Sequence, residues 1–228
     1  MSIAIIPARA GSKRIVKKNT RDFLGVPMIQ RTISKAMESN LFEEIFVTTE
    51  DVEISELAIS SGAKLLKRPS FLSDDFATTI DVLSHAVELL SKESYPGVVT
   101  CIYPVTPLLD YRHIKKGLDI VSEYNRGFVF SAQEFESPIE RSFELDSSDK
   151  VLDLNSLNIS KRTQDFMPRY RDAGQFYIGS KELWISKLPL ISRDSKCVKI
   201  PKYETVDIDT PEDWDFAEQL FLSRLPHA

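Results

Sequence analysis

Cysteine is nearly absent. Of 228 residues only Cys101 and Cys197 are cysteine, which excludes a disulfide framework and a Cys/His zinc pattern. Cys101 falls in the apolar run Val98-Val99-Thr100-Cys101-Ile102 and reads as a small core residue. Long apolar runs are lacking too. No segment approaches the roughly 20 residues of a membrane-spanning helix, and Ile3 to Ile6 is far too short for the apolar core of a signal peptide, so a cytoplasmic protein with no membrane partner is expected. An excess of positive charge is missing as well: the net charge is −5, which speaks against a nucleic-acid-binding surface. It does not speak against a small anionic substrate, which needs only a local basic pocket. The sequence holds no internal repeat and no low-complexity segment. What it does hold is 42% hydrophobic residues, enough for the core of one large domain over 1–228.

Short apolar runs alternate with amphipathic ones over the first two-thirds. Ile3-Ala4-Ile5-Ile6 reads as a buried strand, and Pro27 opens a helix carrying Met28, Ile29, Ile33, Ala36 and Met37 at helical spacing. Ile45 to Thr49 is a strand, Val52 to Ile59 a helix, Thr78 to Leu90 a helix, Val98 to Tyr103 a strand, Tyr111 to Tyr124 a helix and Phe128 to Phe130 a strand. This alternation predicts an α/β fold, Rossmann-like, with a mainly parallel sheet and helices on both faces. From about 134 to 170 the pattern breaks down into polar, irregular chain, read as a β-rich excursion suited to dimerisation or to the substrate side. Gln175 to Ile178 returns to the sheet. Thr210 as N-cap, Pro211 at the first helical position and Asp213 two residues on open a final helix.

Two segments carry chemistry. Pro7-Ala8-Arg9-Ala10-Gly11-Ser12-Lys13-Arg14, followed by Lys17-Lys18-Asn19, sits just past the carboxyl end of the first strand, where open α/β sheets bind ligands. Glycine and small residues let backbone N–H groups approach phosphate oxygens, and the cations neutralise their charge. The segment is neither a P-loop, lacking the second glycine and the Gly-Lys-Ser/Thr ending, nor a dinucleotide fingerprint, having one glycine. The second is Val206-Asp207-Ile208-Asp209. In extended chain, residues two apart face one side, so both carboxylates can address one hard cation such as Mg²⁺. Arg68-Pro69 and Thr78-Thr79 read alone as an exposed arginine and a helix N-cap. His85 reads as a packing or surface residue, and His113 and His227 have no informative context.

These residues resemble a known family. Ile6 to Arg14 with Lys17, Lys18 and Asn19 is similar to the opening signature of the CMP-sialic acid synthetase family, and the likeness continues through Arg68-Pro69, the threonine pair before Asp81, Tyr103 to Leu108 and Asp207-Ile208-Asp209. Arg162-Thr163-Gln164-Asp165, Tyr170 and Asp172 to Tyr177 resemble its pseudaminic acid cytidylyltransferase branch. Ala10 stands where the family usually has glycine and Val16 where proline is common, while Pro104-Val105-Thr106 is nearer the sialic type.

The resemblance implies a nucleotidyltransferase that joins CMP from CTP to a nine-carbon α-keto sugar acid and releases pyrophosphate, working as a homodimer with Mg²⁺. It implies catalytic roles for Arg9, Lys18, Asp207 and Asp209, with the metal on Asp207 and Asp209. Nucleotide binding would fall to Ala8, Arg9, Ala10, Gly11, Ser12, Lys13, Asn19, Arg68 and Thr79. Sugar binding would fall to Tyr103, Arg162, Tyr170, Gln175 and Phe176, with Arg162 on the sugar carboxylate. An N-acylneuraminate, legionaminate or octulosonate enzyme, a nicotinamide-dependent oxidoreductase and a non-catalytic nucleotide-binding regulator remain open alternatives.

Overall fold

Ile3, Ala4, Ile5 and Ile6 are apolar without alternation because the strand they form is covered on both sides, as parallel strands are. A computed structural model describes residues 2–74, 76–91, 95, 97–154 and 161–224. In chain order its strands are β1 (Ser2–Pro7), β2 (Asp22–Phe23), β3 (Val26–Pro27), β4 (Ile45–Thr49), β5 (Lys64–Lys67), β6 (Val98–Ile102), β7 (Val129–Glu134), β8 (Phe143–Leu145), β9 (Val151–Leu154), β10 (Tyr170–Ser180) and β11 (Lys196–Lys199). The α-helices are α1 (Met28–Glu38), α2 (Val52–Ser60), α3 (Thr79–Leu90), α4 (Tyr111–Glu123), α5 (Lys181–Ile185) and α6 (Pro211–Ser223).

One sheet runs β11-β7-β10-β6-β1-β4-β5. β1 pairs parallel with both β4 and β6, and β10 runs antiparallel between β6 and β7. The mainly parallel α/β expectation holds, with β10 as the exception. That exception matters, because its reversed direction brings the start of β10 to the end of the sheet where β1 and β6 finish.

The helices cover both faces. Ile33 of α1, Ala58 of α2 and Ile114 of α4 pack with Ala4, Ile6 and Ile178 on one face. Leu83 and Val87 of α3 and Trp184 of α5 pack with Ile3, Ile5 and Tyr177 on the other. A third cluster joins Phe23, Met28, Ile208, Trp214 and Ala217, seating α6 beside the β2–β3 hairpin. The α6 cap is the predicted box: Asp213 N–H donates to Thr210 Oγ1 at 3.2 Å and Thr210 N–H to Asp213 Oδ2 at 2.8 Å.

Within the expected excursion, β8 and β9 form a separate hairpin whose Phe143, Leu145, Val151 and Leu152 are exposed. Residues 155–160 of it, like His227, lie outside the described residues. Among the described residues, no helix is long and apolar enough to cross a membrane.

Candidate active site

A cleft of about 620 Å³ opens where β1 and β6 end. This is the point at which the connection leaving β1 runs to β4 on one side and the connection leaving β6 runs through α4 to β7 on the other, and where ligands bind to open α/β sheets. Among the described residues, Arg9, Lys13, Arg14, Lys18 and Arg68 line it against only Asp207 and Asp209. A protein of net charge −5 therefore carries a locally cationic cleft.

The first wall is the loop after β1. Asn19, nearly buried, donates from Nδ2 to the Arg9 carbonyl at 2.8 Å and ties the loop across its base. Lys17 takes a left-handed conformation (φ 54°) at the turn, and its carbonyl accepts from the N–H groups of Thr20 and Arg21. Arg9 Nη1 donates to the Asp74 carbonyl at 2.9 Å. Gly11 lines the cleft and has nothing within 4 Å of the place a Cβ would occupy. A side chain there would fill cleft space, which is what a backbone that approaches a ligand closely has to avoid. Arg68 is buried and donates from Nη2 to the Thr48 carbonyl at 2.6 Å, so it is not the exposed arginine that its neighbours in sequence suggest. Burial pulls its guanidinium below the usual value, with Glu50 opposing. Glu50, at the end of β4, also accepts from the Ala10 N–H at 3.1 Å and so links loop to arginine.

The second wall is the segment before α6. Ile208 is buried, 2% exposed, while Asp207 and Asp209 on either side line the cleft, as the two-residue spacing predicts. Burying Ile208 anchors the segment by about 1.5–3 kcal/mol. The Asp209 N–H donates to Asp213 Oδ2 at 3.0 Å, so the capping aspartate of α6 also fixes the backbone of the cleft residue. Arg14 Nη2 and Lys18 Nζ stand 2.8 and 3.5 Å from Asp209 Oδ1. Two carboxylates on one wall suit a hard divalent ion, which at Asp209 would take the place of these two cations. Among the described residues no cluster of three or more His, Cys, Asp or Glu side chains offers a metal site.

The third wall comes from β10. Five steps along β10 separate Asp172 from Tyr177, against two along β7 from Ala132 to Phe130. Three residues, Ala173, Gly174 and Gln175, bulge into the cleft. Gly174 sits at φ +61°, a conformation that favours glycine. Asp172 holds the bulge: its Oδ1 accepts from the Gly174 N–H at 2.9 Å, and its Oδ2 accepts from the Tyr177 hydroxyl. Tyr103 closes this side, its hydroxyl paired with Thr79 Oγ1 at 2.8 Å and its ring edge-on to Tyr177. Burial pushes the Tyr103 phenol up to about 12, so it stays neutral at ordinary pH.

Of the sequence-predicted site residues, Arg9, Gly11, Ser12, Lys13, Lys18, Asn19, Arg68, Thr79, Tyr103, Gln175, Asp207 and Asp209 line one cleft. Ala8 is buried beneath the loop, and the Ala10 N–H is occupied by Glu50. Three others lie elsewhere. Phe176 points away from the cleft, buried in the cluster beneath α4, because neighbours along a strand alternate faces. Tyr170 lines a separate groove with Lys199, whose Nζ donates to its hydroxyl at 2.8 Å. Arg162 is exposed at the start of a short 3-10 turn in the excursion. What sequence alone did not single out is Glu50, Arg14 as a partner of Asp209, and Asp172 as the brace of the bulge. His113, which had no context, is buried on α4 with its Nε2 on the Glu204 carboxylate. Glu50 had one readable signal, its place at a strand's carboxyl end.

The chain resembles known proteins along almost its whole length. It is 37% identical over 222 residues to a pseudaminic acid cytidylyltransferase of Campylobacter jejuni subsp. jejuni serotype O:2, covering 96% of both chains. It is 34% identical over 209 residues to a Helicobacter pylori protein named pseudaminic acid cytidylyltransferase and UDP-2,4-diacetamido-2,4,6-trideoxy-β-L-altropyranose hydrolase, covering 91% of this chain and 40% of that one. Its fold matches that of a CMP:2-keto-3-deoxy-manno-octonic acid synthetase complexed with CTP, with a TM-score of 0.73 at 18% identity over 98% of this chain and 99% of that one. The cytidylyltransferase family model matches residues 3–225. The chain belongs to the cytidylyltransferase family.

Proposed function

We propose that this protein transfers CMP from CTP to the anomeric hydroxyl of pseudaminic acid, releasing pyrophosphate. The observation that carries the reading is the meeting of three unlike walls in one cleft: a cationic loop, a pair of carboxylates and a largely uncharged bulge. A triphosphate, an attacking hydroxyl and a polyfunctional sugar need such a division. The Campylobacter relative's name points to the sugar. The Helicobacter relative's second named activity, on a diacetamido sugar, supports a reading in which the sugar acid carries acylamino groups.

In this reading Arg9, Ser12, Lys13 and Lys18 hold the triphosphate, and Asn19, Arg68 and Thr79 lie nearer the nucleoside. Catalysis is positioning plus charge neutralisation at the α-phosphorus while pyrophosphate leaves in line. Asp207 and Asp209 would hold Mg²⁺, since two carboxylates on one side of an extended segment fit its demand for oxygen donors alongside phosphate oxygens. When bound, that ion would supply charge neutralisation on the phosphates and a lowered pKa for the attacking hydroxyl. Tyr103, neutral and braced by Thr79, would pack on the sugar together with the 173–175 bulge. Arg162 and Tyr170 do not reach the cleft of their own chain. Their sugar-side roles therefore go with a second proposal, that two copies pair through the 134–170 excursion, whose exposed apolar hairpin suits such burial.

Pyrophosphate release from CTP and Mg²⁺ tests the reading, with pseudaminic, N-acetylneuraminic and legionaminic acids run in parallel. Release with pseudaminic acid is the expected result. Release with another sugar alone would replace the sugar and keep the reaction, and release with none would overturn both.

A further inference from the structure

Gln175 is engaged at every polar group but one. Its N–H donates to Ser131 Oγ at 3.1 Å, its carbonyl accepts from the Tyr103 N–H at 2.9 Å, and its Nε2 donates to the Glu204 carbonyl at 2.7 Å. The side-chain amide has no freedom to turn round. A backbone carbonyl only accepts, so Nε2 must face Glu204 and Oε1 must face away from it. Among the described residues Oε1 has no donor, and it is buried in a residue that is 3% exposed and lines the cleft. Buried acceptors are nearly always paired, so an orphan at a cleft wall is a place where a group entering the cleft can complete the bond.

The brace behind it is itself fixed. Glu204 ends a 3-10 turn (Lys202–Glu204), and its carboxylate is bonded to buried His113 and lies 3.9 Å from Arg224 Nη2. The next residue, Thr205, donates from Oγ1 to the Ala173 carbonyl at 3.3 Å. The acceptor is thus preorganised, neither swung out nor shared.

A lone acceptor rejects phosphate and carboxylate oxygens, so its partner must bring an N–H or an O–H. β10 is two strands removed from β1, roughly 10 Å across the sheet, which places Oε1 opposite the phosphate loop, on the sugar side. A hydroxyl can turn its proton to any neighbour, whereas a secondary amide N–H donates in one fixed direction and matches an acceptor held this rigidly. Resting on the cytidylyltransferase reading above, we propose that Gln175 Oε1 accepts the N–H of an acylamino group on the sugar acid. It thereby selects acylamino sugars over otherwise identical ones.

The test compares sugar acids that differ at one atom. In each acylamino position in turn the amide N–H is replaced by an ester oxygen, and the wild type and Gln175→Met are assayed with each compound by pyrophosphate release. At one position the wild type should lose on the order of 10- to 100-fold in kcat/KM on going from amide to ester. Gln175→Met should lose a similar factor on the amide, treat amide and ester alike, and keep its KM for CTP within about twofold. The proposal is overturned if the wild type uses amide and ester equally at every position. It is also overturned if Gln175→Met raises the KM for CTP and leaves that for sugar untouched. Should Gln175→Met fail to bind CTP, having lost its bond to Glu204, the wild-type amide–ester comparison decides alone. Should the enzyme use a different acylamino sugar acid, the sugar assignment fails while the same atom exchange on that sugar still decides on Gln175. A preferred sugar without any acylamino group overturns the proposal.

Discussion

The loop at 9–19 and the bulge at 173–175 face the same cleft, yet they are made in contrasting ways. The loop presents Lys13 and Arg14 as exposed charged side chains on chain held by a few bonds, chiefly that of Asn19. The bulge presents buried atoms whose positions are dictated by main-chain bonds to Ser131, Tyr103, Asp172 and the 204–205 segment. Charge acts over distance and tolerates loose placement, so a flexible polyanion is met by exposed cations. A sugar is told from its near relatives by single hydrogen bonds, which demand fixed atoms. In the proposed reading one wall supplies energy and the other supplies discrimination, so variants in the two should fail differently.

The sharpest break comes from the carboxylates that stand between them. Asp207→Asn and Asp209→Asn should each lower kcat by about 10²- to 10³-fold, the scale of removing a group that organises transition-state charge. They should also raise the Mg²⁺ concentration needed for half-maximal rate, with thermal stability kept. Lys18→Ala comes next: kcat/KM for CTP should drop about 10²-fold while the KM for sugar stays put, as varying each substrate at saturation of the other will tell.

Gly174→Ala has a smaller effect on the opposite wall. Its φ of +61° costs a side chain roughly 1–2 kcal/mol, a drop of about 2–8 °C in Tm for a chain of this size. kcat/KM for sugar should fall about tenfold with CTP binding unchanged. The smallest effect is that of Tyr103→Phe, below about fivefold at pH 8, since one neutral bond to Thr79 is lost. Burial raises this phenol from 10 to about 12, so the folded state holds the proton more tightly. Its contribution is complete below pH 10 and is lost as pH rises toward 12. Chemical denaturation across that window should give a shallower loss of stability for Tyr103→Phe than for the wild type.

The contrast between the walls also explains what was readable from sequence. Cations crowded after a strand and aspartates two apart are local patterns, and they fall where expected, as do the α6 cap at Thr210 and the strand Ile45–Thr49. The edges of the sheet are not legible in the sequence: β5 reads Lys64-Leu65-Leu66-Lys67 and β11 reads Lys196-Cys197-Val198-Lys199. Edge strands carry lysines that discourage pairing with another chain, and those lysines hide the apolar strand pattern. The bulge was legible only as a string of residues resembling a family. Its three extra residues exist relative to β7, some forty positions earlier in the chain, and no local period encodes a register shift. The resemblance implies Phe176 at the sugar beside Gln175, whereas strand alternation sends it to the α4 side. Arg68 reads as exposed by composition and is buried, its Nη2 bonded to the Thr48 carbonyl.

The central claim, that nucleotide and sugar are recognised on separate walls, is tested most directly by measuring KM for CTP and for pseudaminic acid in Lys18→Ala and Gln175→Met side by side. The account predicts that the first variant moves the CTP constant and kcat/KM for CTP alone, and that the second moves the sugar constant alone. Equal movement of both constants in both variants would contradict it, because the cleft would then recognise its two substrates as one.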